Sequence, residues 1–168
     1  MLANKEVAII VADALSRYNI PTILDPVMVS SSGHRLLSLD AQEVVKERLL
    51  PLSTLVTPNI PEMEALTAMS LTTAEEKLSA AQYLLSLGAQ AVLLKGGHEE
   101  GDTKCDTLYE LDGSNITQLH LSTPTVATKN IHGTGCTLSS AIAAFMARGL
   151  TLREAVQEAK KYITEAIL

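Results

Sequence analysis

Four places in this sequence combine residue types that can do chemistry with a position at the end of an apolar run or the start of a helical one. They are Asp25, Asn59 with Glu62, Lys95-Gly96-Gly97, and Gly133-Thr134-Gly135-Cys136. In the last, two glycines let backbone amides come close to a ligand. The loop opens a helix, whose unpaired N–H groups and dipole favour an anion. A helix N-terminus also stabilises a thiolate. The group therefore reads as a phosphate cradle beside an activated base or nucleophile, and equally as a glycine-rich turn before a core helix with a small cysteine in it. Asn59 and Glu62 are an oxygen pair that could position a hydrated Mg²⁺, which keeps several waters and takes few protein ligands. The same residues around Pro61 make a helix N-terminus, and capping is the stronger reading of this pair taken alone. Asp25 suits a metal or phosphate-water partner, or simply a turn before Pro26. Lys95 follows four apolar residues, and a lysine is costly to bury, so it either meets an anion or reaches solvent.

The elements that must carry these groups follow from periodicity. Thr22-Ile23-Leu24, Thr54-Leu55-Val56-Thr57 and Ala91-Val92-Leu93-Leu94 are short β-rich runs, the first two closed by Asp25-Pro26 and Pro58. Two further strands are expected from Asp106 to Leu111 and from Ile116 to Leu121, joined through Asp112-Gly113-Ser114. Helices fall between. One is expected from the Asn4 cap to about Asn19, with Val7, Ile10, Val11, Ala14, Leu15 and Tyr18 as its apolar face. Another is expected from Asp40, capped with Glu43, to about Leu50. A short one opens at Asn59, and one starts at a Thr73/Glu76 capping box and stops at Gly88. The last two carry Leu138, Ala141, Ile142, Phe145, and Leu152, Ala155, Val156, Ala159, Ile163, Ile167, the final one capped by Thr151 and Glu154. Strands alternating with helices imply an α/β fold with a mostly parallel sheet covered by helices and a late hairpin. In such sheets ligands bind beyond the C-terminal strand ends, where all four groups fall.

Composition narrows the function. The chain has 168 residues, a formal charge of −6, 46% hydrophobic and 19% charged residues, enough for one domain over 1–168. The acidic balance argues against a broad nucleic-acid face, though not against a local phosphate site. No run approaches a membrane span. Trp is absent and Phe occurs once, so the core must be aliphatic. Cys105 and Cys136 make no disulfide framework, which fits a reduced, cytoplasmic setting. His34, His98 and His120 have no metal-ligand spacing. Walker A, Gly-x-Ser-x-Gly and Gly-x-Gly-x-x-Gly patterns are missing.

Several segments in this order carry a family resemblance. They are Asp25-Pro26-Val27-Met28, Ser32-Gly33-x-x-Leu36-Leu37, Thr57-Pro58-Asn59-x-Pro61-Glu62, Lys95-Gly96-Gly97-His98, Asp106-x-Leu108-Tyr109 and His132-Gly133-Thr134-Gly135-Cys136-Thr137-Leu138-Ser139-Ser140. The sequence resembles the hydroxymethylpyrimidine/phosphomethylpyrimidine kinases of thiamine biosynthesis, in the ribokinase-like superfamily. The resemblance implies a three-layer α/β/α sandwich and ATP- and Mg²⁺-dependent phosphoryl transfer to a small pyrimidine alcohol or its phosphate. It implies Cys136 as the general base, and Gly133, Thr134 and Gly135 as an anion hole. Asn59 and Glu62 would place Mg²⁺ through water, Lys95 and Asp25 would lie near the triphosphate and metal, and Val27, with Met1, would belong to the substrate side. Ile131 and His34 depart from the family's usual Thr and Asp.

Family members begin with a glycine-rich strand and loop that bind much of the substrate, whereas Met1-Leu2 resembles an internal Lys-x-Gly-Met-Leu segment. The expectation is a C-terminal portion of the family's chain, with the N-terminal substrate-binding segment missing. Pyridoxal kinase-type activity and a truncated, non-catalytic nucleotide-binding module are the alternatives, and self-association into a homo-oligomer is left open.

Overall fold

The computed structural model describes residues 2–28, 36–96, 102–126 and 133–167. Five strands form one mixed sheet in the order β1 (Ile23–Leu24), β2 (Leu55–Val56), β3 (Ala91–Leu94), β4 (Thr103–Asp112) and β5 (Asn115–Pro124). The first three run parallel, and β4 and β5 form an antiparallel hairpin against β3. The parallel strands are short because each ends at a residue committed to the site. The hairpin strands run past the expected ends to Thr103 and Pro124, since no ligand-bearing residue interrupts their pairing.

Alternation along the strands separates two aliphatic cores. Val56, Val92 and Leu94 face α1 (Lys5–Leu15), α2 (Leu39–Val44), α3 (Ile60–Thr67) and α4 (Ala74–Ser86). Leu55, Ala91, Leu93 and Leu108 face α5 (Thr134–Ala147) and α6 (Leu152–Ile167). Helices thus cover both faces, as a three-layer α/β/α sandwich requires. Tyr109 is the one aromatic residue among the buried hydrophobic side chains described.

Two expectations about the early helices need correction. α1 starts at its Asn4 cap, whose side chain accepts from the Val7 amide, but ends at Leu15. Its buried stripe is Ala8 and Ala12, flanked by Ile9, Val11 and Leu15, while Val7, Ile10 and Tyr18 are exposed. The reason is packing distance. α1 lies against α2 and the turn after it, and alanines allow closer approach than the bulkier stripe would. Asp40 is not the cap of α2. That helix starts at Leu39 behind Ser38, and Asp40 Oδ1 accepts from its neighbour Ala41. Nor does it run on as regular α-helix to Leu50. It widens into a π-turn at Val45–Leu49 and tightens into a 3₁₀ turn at Leu50–Leu52. Pro51 lacks an amide to continue the ladder.

The later helices follow expectation. Thr73 and Glu76 close a reciprocal capping box on α4. Glu154 accepts from the Thr151 amide at 2.9 Å and hydroxyl at 2.7 Å. These bonds hold the Glu154 carboxyl below the ordinary glutamate value. A lowered folded-state value stabilises the fold above the unfolded value and is lost as pH falls through the folded one. Glu154→Gln, which cannot titrate, is therefore expected to lose less melting temperature than the parent on acidification. Thermal melts from neutral pH to below the ordinary glutamate value of 4.5 check this. Parallel curves for the two proteins would remove Glu154 from the acid response.

Candidate active site

The site is assembled where β1, β2 and β3 end. β1 delivers Asp25, and β2 delivers Thr57 and then Asn59 at the head of α3. β3 delivers Lys95, which bridges in parallel to Asn59 and donates its amide to the Pro58 carbonyl at 2.9 Å. α5 brings Gly133, Thr134, Gly135 and Cys136 to the same edge.

Lys95 is the centre of the arrangement. Its Nζ lies 2.9 Å from Asp25 Oδ1 and 3.9 Å from Glu62 Oε2. The Lys95 and Asp25 side chains are 13% and 14% exposed and that of Glu62 only 4%, so this is an enclosed charge triad rather than a surface pair. Burial pushes the Glu62 carboxyl above its ordinary value, opposed by Lys95 and by hydrogen bonds from the Asn59 and Met28 amides. One cation shared between two carboxylates leaves a net negative cluster that a further cation would relieve.

Asn59 and Glu62 form a complete capping box. Asn59 Oδ1 accepts from the Glu62 amide and Glu62 Oε2 from the Asn59 amide, each at 2.9 Å. Capping is therefore real here, and it fixes the Glu62 carboxylate beside Lys95. Among the described residues no cluster of three or more His, Cys, Asp or Glu could enclose a metal. The donor set thus fits an ion held through water by few oxygens rather than an all-protein cage.

The two described glycines of this segment are favoured for different reasons. Gly133 is the N-cap of α5 at φ +80°, a left-handed conformation that costs other residues about 1–2 kcal/mol. Gly135 is a matter of space, since a Cβ there would lie 3.2 Å from Lys95 Nζ. The loop backbone and the lysine therefore approach the same point. The Gly135 and Cys136 amides precede the first helix-turn donor, Thr137, which bonds the Gly133 carbonyl. Amides in the first turn of a helix lack a partner within the helix, so these two could meet an anion.

A chain of hydroxyls ties the loop to the triad. Thr57 Oγ1 donates to Asp25 Oδ1 at 3.0 Å and lies 3.0 Å from Ser139 Oγ, which also reaches the Gly135 carbonyl at 3.0 Å. Asp25, paired with Lys95, only accepts, so Thr57 spends its single proton there. Ser139 must then supply the hydrogen for the Ser139–Thr57 contact, sharing it with Gly135. Thr57 and Ser139 have no role in the sequence reading. The available signal was a hydroxyl closing a fully apolar strand just before a proline.

Cys136 is exposed and Val27 half-buried. Both line a largely apolar cavity of about 600 Å³ with Asp25, Pro26 and Ser139, walled by Val11 and Leu15 of α1 and Ala143 of α5. The structure therefore gathers nine of the expected site residues at one strand edge. Met1 lies outside the described residues, as do Gly97, His34, His98, Ile131 and His132.

The model of the phosphomethylpyrimidine kinase family matches residues 1–168. The chain belongs to that family. A bifunctional thiamine biosynthesis protein of Geobacter sulfurreducens is 45% identical over 99% of this chain and 34% of its own length. The Clostridium difficile phosphomethylpyrimidine kinase structure superposes with a TM-score of 0.81 at 36% identity, covering 100% of this chain and 67% of that one. A Staphylococcus aureus pyridoxal kinase, solved in complex with ADP, gives a TM-score of 0.87 at 32% identity over 99% and 60%. The chain spans 62% of the length of hydroxymethylpyrimidine/phosphomethylpyrimidine kinases such as those of Rhizobium meliloti and Escherichia coli.

Thr57 is fully buried. Thr57→Val keeps its shape but removes a donor from Asp25 and an acceptor from Ser139, an expected cost of about 1–3 kcal/mol. Urea unfolding measures it, and an unchanged midpoint would show that the hydroxyl chain holds nothing.

Proposed function

We propose that this chain carries ATP- and Mg²⁺-dependent phosphoryl transfer to 4-amino-5-hydroxymethyl-2-methylpyrimidine and its monophosphate. The observation that carries the proposal is the placement of Cys136. It sits at the N-terminus of α5, on the wall of the cavity that Asp25 and Val27 also line, with Lys95 Nζ close behind Gly135.

In this reading the pyrimidine alcohol lies in the cavity beside Val27, whose apolar surroundings suit a methylated ring. Cys136, as general base, takes the hydroxyl proton as the substrate oxygen attacks the γ-phosphorus, the bond from that phosphorus to the β-phosphate bridging oxygen breaks and ADP leaves. The Gly135 and Cys136 amides, with Gly133 and Thr134 shaping the turn, stabilise charge on the transferring oxygens. Lys95 contributes a fixed positive charge from the other side, and Asp25 and Glu62 keep its ammonium in place. Mg²⁺, when bound, would neutralise triphosphate charge, held through water by Glu62 and Asn59. The fit of family, fold and strand-edge placement supports these roles. A second reading, phosphorylation of pyridoxal, is favoured by the superposition on pyridoxal kinases.

No helix among the described residues is long and apolar enough to cross a membrane. The proposed partner is a small pyrimidine, the kind of substrate that the names of the related kinases give, and the proposed setting is cytoplasmic.

A coupled ADP assay on the pyrimidine and on pyridoxal, beside calorimetry with Mg-ATP, tests the proposal. Cys136→Ala is expected to abolish transfer while leaving ATP binding nearly unchanged. Equal kcat in mutant and parent would remove Cys136 from the mechanism. Binding with no ADP release from the parent would favour a non-catalytic nucleotide module, and faster turnover of pyridoxal would favour the second reading.

A further inference from the structure

One buried ion pair takes no part in the mechanism above. Asp106 on β4 is only 4% exposed. Its Oδ2 accepts from Lys160 Nζ of α6 at 2.7 Å, and the Lys160 side chain is 13% exposed. Its Oδ1 accepts from the backbone amide of Gly96 at 2.9 Å. The backbone register between β3 and β4 runs from Ala91↔Glu110 to Leu94↔Thr107 and stops there. Beyond that point a side chain takes over the pairing, at the residue directly after Lys95.

The consequence is geometric. The Lys95 amide is already fixed on the β2 side by the Pro58 carbonyl. The Gly96 amide is fixed on the β4 side by Asp106. With both flanking amides held from opposite sides, the Lys95 backbone has little freedom, and its side chain leaves toward Asp25 and Glu62. Lys160 in turn pairs with the other oxygen of the buried Asp106 carboxylate, supplying the partner that a buried charge needs. We propose that Asp106 is a positioning residue that aims Lys95 at the phosphate by clamping the Gly96 amide, with Lys160 as the counter-ion of its buried carboxylate. The proposal rests on the phosphoryl-transfer reading, in which Lys95 meets the nucleotide.

A purely structural ion pair would make a different prediction, and paired variants separate the two. Asp106→Leu/Lys160→Met replaces the pair with apolar side chains, which often leaves stability intact, but the Gly96 amide loses its acceptor. Asp106→Asn/Lys160→Met also removes the charges but keeps an oxygen for Gly96. Both share the change at Lys160, so any direct effect of that residue cancels. Thermal melts report the fold, and calorimetric titration with Mg-ADP reports the site.

The expected result is a parent-like melt for the Leu/Met variant with Mg-ADP affinity about tenfold weaker, the loss of one charge-assisted hydrogen bond. The Asn/Met variant should recover most of that affinity. Parent-like affinity in both variants, or equal weakness in both, would overturn the positioning role. Should the Leu/Met variant fail to melt cooperatively, Asp106→Glu serves. It keeps the charge for Lys160 but displaces the acceptor, and parent-like affinity there overturns the proposal too. If the parent itself binds no Mg-ADP, the kinase reading fails and takes this inference with it, a pattern distinct from the others.

Discussion

The structure depends on one ammonium group. Lys95 Nζ sits between Asp25 and Glu62 at the point where three parallel strands end and the α5 loop arrives. Without it, two carboxylates would share an enclosed space with no cation between them. With it, strands of two and four residues are tied at their ends by charge as well as by backbone pairing. The short strands, the glycine at position 135 and the buried Glu62 all follow from keeping that cation close but not covered.

The surrounding interactions serve the same end by different means. The capping box on α3 spends Asn59 and Glu62 on helix initiation and holds the Glu62 carboxylate where Lys95 needs a second partner. The Thr57–Ser139 hydroxyls link β2 to α5, so the loop cannot shift without disturbing Asp25. Structural and chemical roles are therefore not alternatives at these positions. A residue that caps or bridges here also sets the electrostatics of the site.

Much of this was legible in the sequence because the signals were local. Leu24-Asp25-Pro26 and Val56-Thr57-Pro58 each show an apolar run halted at a polar residue and a proline, and Ala91-Val92-Leu93-Leu94 delivers Lys95 in the same way. Asn59 and Glu62 were ambiguous between cap and ligand site because the same residue types suit both, and the capping box is the part the structure shows. The α1 face was misread because residue size, not hydrophobicity, decided it. Ala8 and Ala12 allow close packing that Val7 and Ile10 would prevent. Thr57, Ser139 and Asp106 received no role because their partners lie far along the chain, Ser139 82 residues from Thr57 and Lys160 54 from Asp106. No periodic pattern encodes such pairings.

The most direct test of the central claim is calorimetric titration of Mg-ATP into the parent chain and into Lys95→Met, with a thermal melt of each to confirm that both are folded. The account predicts saturable binding by the parent and binding at least about tenfold weaker in the variant, the loss of one buried charge contact to phosphate. Equal affinity in two folded proteins would contradict it, because the cation around which the strand ends are arranged would then have no part in holding the nucleotide.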